Sequence, residues 1–149
     1  MGIQIIDIDL GFDKITHEIA KLGKSKTEIG LFGSGGTPAN DVASRGAVHE
    51  FGTTKIPKRS FLASTFDDEA DRWWKFSLIL LKKIFDGSWD AKKLLQSLSQ
   101  KAQDNIMTKI ELGIPPPNSL KTIKRKKSSK TLIDTGDMKN RITYKIGKK

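Results

Sequence analysis

The sequence predicts an α+β domain, a small, mostly antiparallel sheet packed against a long αα-hairpin. Three stretches, Gln4–Leu10, Thr27–Phe32 and Ile142–Ile146, alternate apolar and polar residues at period two, the signature of half-buried strands. Two long stretches, Phe66 to Phe85 and Leu94 to Ile110, carry apolar residues at three- and four-residue spacing. Only Asp86-Gly87-Ser88 and its neighbours separate them, a connection short enough to force an antiparallel return. The 149 residues are expected to form a single domain over 1–149, a size that buries roughly two thirds of the unfolded surface.

Taken in order, the first strand is broken by Gly11, and Phe12, Ile15, Ile19 and Leu22 then predict a short helix ending near Gly23. The second strand places Ile29 and Leu31 on one face. Gly33-Ser-Gly-Gly-Thr-Pro38 reads as a flexible linker. Asp41 can cap a helix from Val42 to about Glu50, whose small residues Ala43, Gly46 and Ala47 suggest close packing. Gly52 suits a C-cap that needs positive φ. Pro57 pushes Ile56 toward an extended conformation, so the chain must turn there, with Phe61 and Leu62 facing inward.

Ser60 is the expected N-cap of the next helix, with Asp67, Asp68, Glu69 and Asp71 in its early turns, where acidic groups complement the macrodipole. That helix carries two apolar stripes, Phe66–Ala70–Trp73–Leu80–Ile84 and Trp74–Leu78–Leu81–Phe85, so it is central or packs on two partners. Trp73 and Trp74 point to different sides, one to the core and the other to an assembly contact. The second helix of the hairpin runs from about Asp90 to Leu112 and is stopped by Pro115-Pro116-Pro117. A Pro-rich and basic segment follows over 113–132, with Lys121–Lys130 expected as a mobile loop. Asp134-Thr-Gly136 then reads as a turn or helix start ahead of the last strand.

Charge and composition exclude several classes. The net charge is +10, but residues 121–149 hold eleven Lys/Arg against Asp134 and Asp137, so the body of the domain is nearly neutral. With no cysteine, disulfides and thiolate metal sites are ruled out. No apolar run approaches the roughly 18 residues of a membrane span, and neither a secretory signal nor a myristoylation site is expected, position 6 being Ile6.

The candidate chemistry fails on spacing. His17-Glu18 and His49-Glu50 begin like a zinc-protease helix motif, but Lys21 and Thr53 stand where the second histidine belongs. The glycine cluster lacks the lysine of a P-loop, and Pro38 stands where a dinucleotide fingerprint needs its third glycine. The acidic run at Asp67–Asp71 has no EF-hand spacing and reads as a solvated helix start. His49 has no nucleophile near it in sequence and suits a packing or surface role. No catalytic, cofactor or metal residue is therefore expected. The run Lys121, Lys124, Arg125, Lys126, Lys127 and Lys130 could attract nucleic acid or an acidic protein by counterion release, or could simply be solvated. It has no interleaved aromatics for base stacking.

The order of short motifs says more than any one of them. Ala47-Val-His-Glu-Phe-Gly-Thr53 comes first, then Ile56-Pro-Lys-Arg-Ser-Phe-Leu62 and the helical pair. Pro115-Pro116-Pro117, Thr122-Ile-Lys-Arg-Lys126 and Leu132-Ile-Asp-Thr-Gly136 follow, ahead of the strand with Tyr144. In this order the chain resembles the tail-completion (neck) proteins of tailed bacteriophages, a group that includes minor-tail-protein-Z-like and Mu-like virion morphogenesis proteins. The resemblance spans about Glu28 to Ile146 and departs from the pattern at Ser60 and Thr131, where proline is frequent.

The resemblance implies a non-enzymatic α+β subunit that assembles with itself as a ring, commonly a hexamer, where tail meets head. Its partners would be the neighbouring neck and tail proteins, with non-specific DNA in the channel and no membrane. It would be assembled in the host bacterial cytoplasm and reside in the virion, whether of a phage or a prophage. Expected subunit contacts are His49, Glu50, Phe51, Lys58, Arg59 and Trp74 with its stripe, while Lys121–Lys130 would order on assembly against DNA or an acidic neighbour. The alternative from another class is a non-specific nucleic-acid-binding module that uses the basic C-terminal segment.

Overall fold

A computed structural model describes residues 11–33 and 41–149. The expected strand Gln4–Leu10 and most of the glycine-rich linker lie outside the described residues. In order, the elements are α1 (Phe12–Gly23), β1 (Ser25–Leu31), α2 (Val42–Phe51), α3 (Ala63–Phe85), α4 (Ala91–Leu112), α5 (Leu120–Lys126), α6 (Asp137–Asn140) and β2 (Ile142–Lys148). The α+β expectation holds. β1 and β2 pair antiparallel from Ser25 opposite Lys148 to Leu31 opposite Ile142, and the α3/α4 hairpin packs against them through α4.

α4 is the hub, touching α1, α3, α6 and both strands. Its inward row Leu94, Ala102, Ile106 and Ile110 is buried, as the three- and four-residue spacing requires. Asp90 caps it, accepting from the Lys93 N–H at 2.7 Å. Two polar ties fasten it to the sheet. The Ser99 and Thr27 hydroxyls meet at 2.9 Å, and the Gln103 side-chain amide donates to the Ile142 carbonyl at 2.9 Å.

The apolar interior divides in two. One cluster joins Val42, Phe61, Ile106, Ile110, Ile114, Met138 and Ile142 beneath the sheet, with Ile29, Leu31 and Leu62 packed on it. The other joins Leu80, Ile84 and Leu94 at the turn of the hairpin, with Leu22 of α1 and Trp89 against it. Trp89 also receives the ammonium groups of Lys83 and Lys93 over its ring, at 4.3 and 4.8 Å from the centroid. No helix among the described residues is long and apolar enough to cross a membrane.

Three local expectations change. Residues 121–130 are not one loop: Ser119 accepts from the Thr122 N–H and caps α5, and Lys127 closes that helix in the left-handed region. Lysine and arginine are good helix formers, and a serine ahead of Leu120 supplies the start. α3 begins at Ala63, so Asp67, Asp68, Glu69 and Asp71 fall beyond its first turn, and macrodipole compensation is not their role. Asp68 instead ion-pairs with Lys109 of α4, and Glu69 with Arg72 at 2.6 Å. Ser60 does not cap α3; its hydroxyl serves a different acceptor, described below.

At the end of α2, Gly52 has φ 76°, and a Cβ there would lie 2.8 Å from the Lys58 nitrogen. Gly87 has a similar φ of 73° with open space around it. Gly52→Ala should therefore cost about 2 kcal/mol or more, strain and clash together. Gly87→Ala should cost about 1 kcal/mol from strain alone. Urea denaturation midpoints of the two variants separate the contributions.

Candidate functional site

The corner between α2 and α3 is built on a buried carboxylate. Val42, Gly46 and Glu50 are the buried residues of α2, spaced by four, so Glu50 falls on the inner face. Its oxygens accept from the Ser60 hydroxyl at 2.6 Å and from the backbone N–H groups of Phe61, Leu62 and Ala63 at 2.8, 2.9 and 3.0 Å. These N–H groups belong to the start of α3, which has no cap of its own. Burial alone would push the Glu50 carboxyl up. The hydrogen bonds from Leu62, Ser60, Ala63 and Phe61 together outweigh burial and hold it below its ordinary value. The backbone adds another clamp, the Arg59 N–H donating to the His49 carbonyl at 2.7 Å.

Arg59, also buried, reaches across to the proline run. Its Nε donates to the Pro116 carbonyl at 2.8 Å and its guanidinium NH₂ to the Pro117 carbonyl at 3.1 Å. Thr131 fixes the far side, its hydroxyl accepting from the Ile114 N–H at 2.8 Å. Asp137 joins α2 to α6, accepting from Arg45 at 2.7 Å and from Arg141 at 2.8 Å; these two guanidinium groups hold its carboxyl below its ordinary value.

Between these braces lies a cleft of about 600 Å³, walled by α2, the Lys55–Arg59 corner, the Pro117–Lys126 stretch and residues 132–138. Its lining includes the apolar Ile56, Pro57, Leu132 and Met138 and the cationic Lys55, Arg125 and Lys126. Leu132 sits at φ 61°, a conformation uncommon for leucine, where it lines this cleft. His49 also lines it, and its buried Nδ1 has no hydrogen-bond partner among the described residues. Burial, then Arg59, Lys126 and Arg45, keep the imidazole pKa below its ordinary value.

The expected site residues divide between inside and outside. Glu50 and Arg59, expected as subunit contacts, are each only 6% exposed and brace the corner from within, which removes their side chains from the accessible surface. His49 is half-buried in the cleft wall, and Lys58 is exposed. Phe51 and Trp74 are outward, 77% and 64% exposed. Lys121, Lys124, Arg125, Lys127 and Lys130 are exposed and Lys126 half-buried; Lys121, Lys124, Arg125 and Lys126 lie on α5. Among the described residues no cluster of three His, Asp or Glu could hold a metal. Sequence reasoning missed the cap that Glu50 provides, although Val42–Gly46–Glu50 spacing placed a carboxylate on an apolar face.

Because the folded-state pKa of Glu50 is depressed, its contribution is complete above the ordinary value of 4.5 and is lost as pH falls through the lower folded value. Glu50→Gln should lose about 2–3 kcal/mol near neutrality. Its stability should also fall less steeply than that of the parent chain below pH 4.5, as read by chemical denaturation across pH. Comparison with protein families, with curated proteins and with solved structures yields no match.

Proposed function

We propose that this chain is a structural subunit that completes a bacteriophage tail and joins it to the head, acting as a homo-oligomeric ring in the neck of the virion. One observation carries the reading. All five short stretches behind the resemblance contribute to the wall of a single cleft, through His49, Ile56 and Arg59, Pro117, Thr122 and Arg125, and Leu132 with Asp134, Thr135 and Gly136. Unrelated short matches scattered over 90 residues have no reason to converge; parts of one inherited architecture do.

The surface of α3 supports assembly. Trp74, Leu78 and Phe85, three members of the second apolar stripe, are exposed, and Ile79 beside them is exposed as well. Aromatic and aliphatic groups aligned on one helix face suit a subunit contact. Phe51, Leu112 and Leu120, exposed at the ends of three helices, offer apolar surface to a neighbour. A ring needs two different patches that meet head to tail. The role is structural and needs no catalytic group.

A second reading, a non-specific nucleic-acid-binding module, is favoured by α5, which presents Lys121, Lys124 and Arg125 to solvent with no acidic residue on the helix. The two readings separate experimentally. Native mass measurement and electron microscopy should find closed rings, alone or with neighbouring neck proteins. Trp74→Glu with Leu78→Glu should abolish them while changing unfolding free energy by less than about 1 kcal/mol. Joined, infective particles formed at normal yield by that variant would count against the ring. Duplex DNA binding that weakens steeply with salt, and disappears on neutralising Lys121, Lys124 and Arg125, would favour the second reading.

A further inference from the structure

We propose that the cleft between α2 and α5 is a docking groove for an acidic peptide segment of another protein. A carboxylate side chain enters beside Lys55, Arg125 and Lys126, and its aliphatic neighbours rest on Ile56 and Leu132. The charge balance asks for an anion. Of the five cationic residues lining the cleft, Arg45 is neutralised by Asp137, and Arg59 is held by two uncharged carbonyls. Lys126 donates to the Lys130 carbonyl at 3.3 Å, and no carboxylate among the described residues pairs with Lys55, Arg125 or Lys126. Asp134 is the other acid on the wall.

His49 reports the same field from inside. Its buried Nδ1 has no partner among the described residues, and a buried polar atom left unsatisfied beside an open cleft calls for one that enters from the cleft. Burial first, and then the cations Arg59, Lys126 and Arg45 of the corner, α5 and α2, hold its proton off, and a carboxylate entering among those cations offsets their field and raises its proton affinity. By linkage, binding must tighten as pH falls through the His49 pKa.

The walls select a peptide over a phosphate chain. Among the described residues no Phe, Tyr or Trp lines the cleft to offer bases a broad stacking surface. Asp134 and Asp137 would repel a continuous polyanion, while Ile56, Pro57, Leu132 and Met138 suit aliphatic side chains. The volume is that of a site enclosing a small ligand or a few side chains, at the low-to-middle part of the usual range. The proposal does not rest on ring formation, since an isolated chain carries the whole cleft.

The test is a pH titration of the two histidine side chains by NMR. The protein alone is compared with protein plus an acetylated, amidated hexapeptide alternating leucine with aspartate or glutamate. Hexathymidylate and inorganic phosphate, at matched ionic strength, are the other arms. The peptide should raise the His49 pKa and leave His17, which is exposed on α1, unchanged. Arg125→Glu with Lys126→Glu should weaken the peptide by about tenfold or more with the backbone spectrum preserved. A His49 pKa that the peptide does not move, or that hexathymidylate or phosphate moves more strongly, overturns the proposal.

Discussion

The carboxylate of Glu50 ties the corner of this molecule together. A helix start buried in a domain carries N–H groups that no residue of the same helix can satisfy, and α3 has no side chain of its own positioned for them. Glu50 reaches from the last turn of α2 and accepts from three consecutive N–H groups. The buried charge is tolerable because its acceptor capacity is filled by those donors and the Ser60 hydroxyl. Phe61, which supplies one of the N–H groups, is fully buried in the core beneath the sheet, so the cap sets the depth at which α3 enters.

The same device recurs at the other long helix. Glu18 of α1 is buried and accepts from the Ala91 N–H at 2.8 Å, the first residue of α4, while Lys21 pairs with it at 2.6 Å. The Ala91 hydrogen bond, more than Lys21, holds this carboxyl below its ordinary value. Both His-Glu pairs thus place a glutamate on the start of a distant helix. Short helices used as caps for long ones fix hairpin geometry without needing a large core. That suits a chain whose apolar interior is divided into two modest clusters.

Periodicity made the α+β architecture legible, together with α1, α2, the hairpin and the paired strands. Of the local caps expected, Asp41 acts three residues away on Ser44, while Ser60 does not cap α3; Asp90 caps α4 by the same three-residue rule. Glu50 and Glu18 were not legible, because they act across 13 and 73 residues, where no local rule reaches. α5 was hidden by its charge: a lysine run reads as solvated loop, although its residues favour helix and Ser119 stood ready to cap it. The cleft was legible only as a list of separated motifs. Its walls come from stretches between Arg45 and Met138, and their meeting depends on Arg59 holding two proline carbonyls and Arg45 holding Asp137.

The two-stranded ribbon joins residues 25–31 to residues 142–148, more than a hundred positions apart. Everything from α2 to α6 is a closed loop within that pairing. During synthesis β1 cannot meet β2 until the ribosome has delivered the whole hairpin and Ile142 behind it. Lys26 and Glu28, two residues apart and so on one exposed face of β1, ion-pair at 2.8 Å and keep that strand charged, a feature that discourages pairing with the wrong strand. Pairing β2 with β1 sets Ile142 and Ile29 against α4 and so closes the core beneath the sheet.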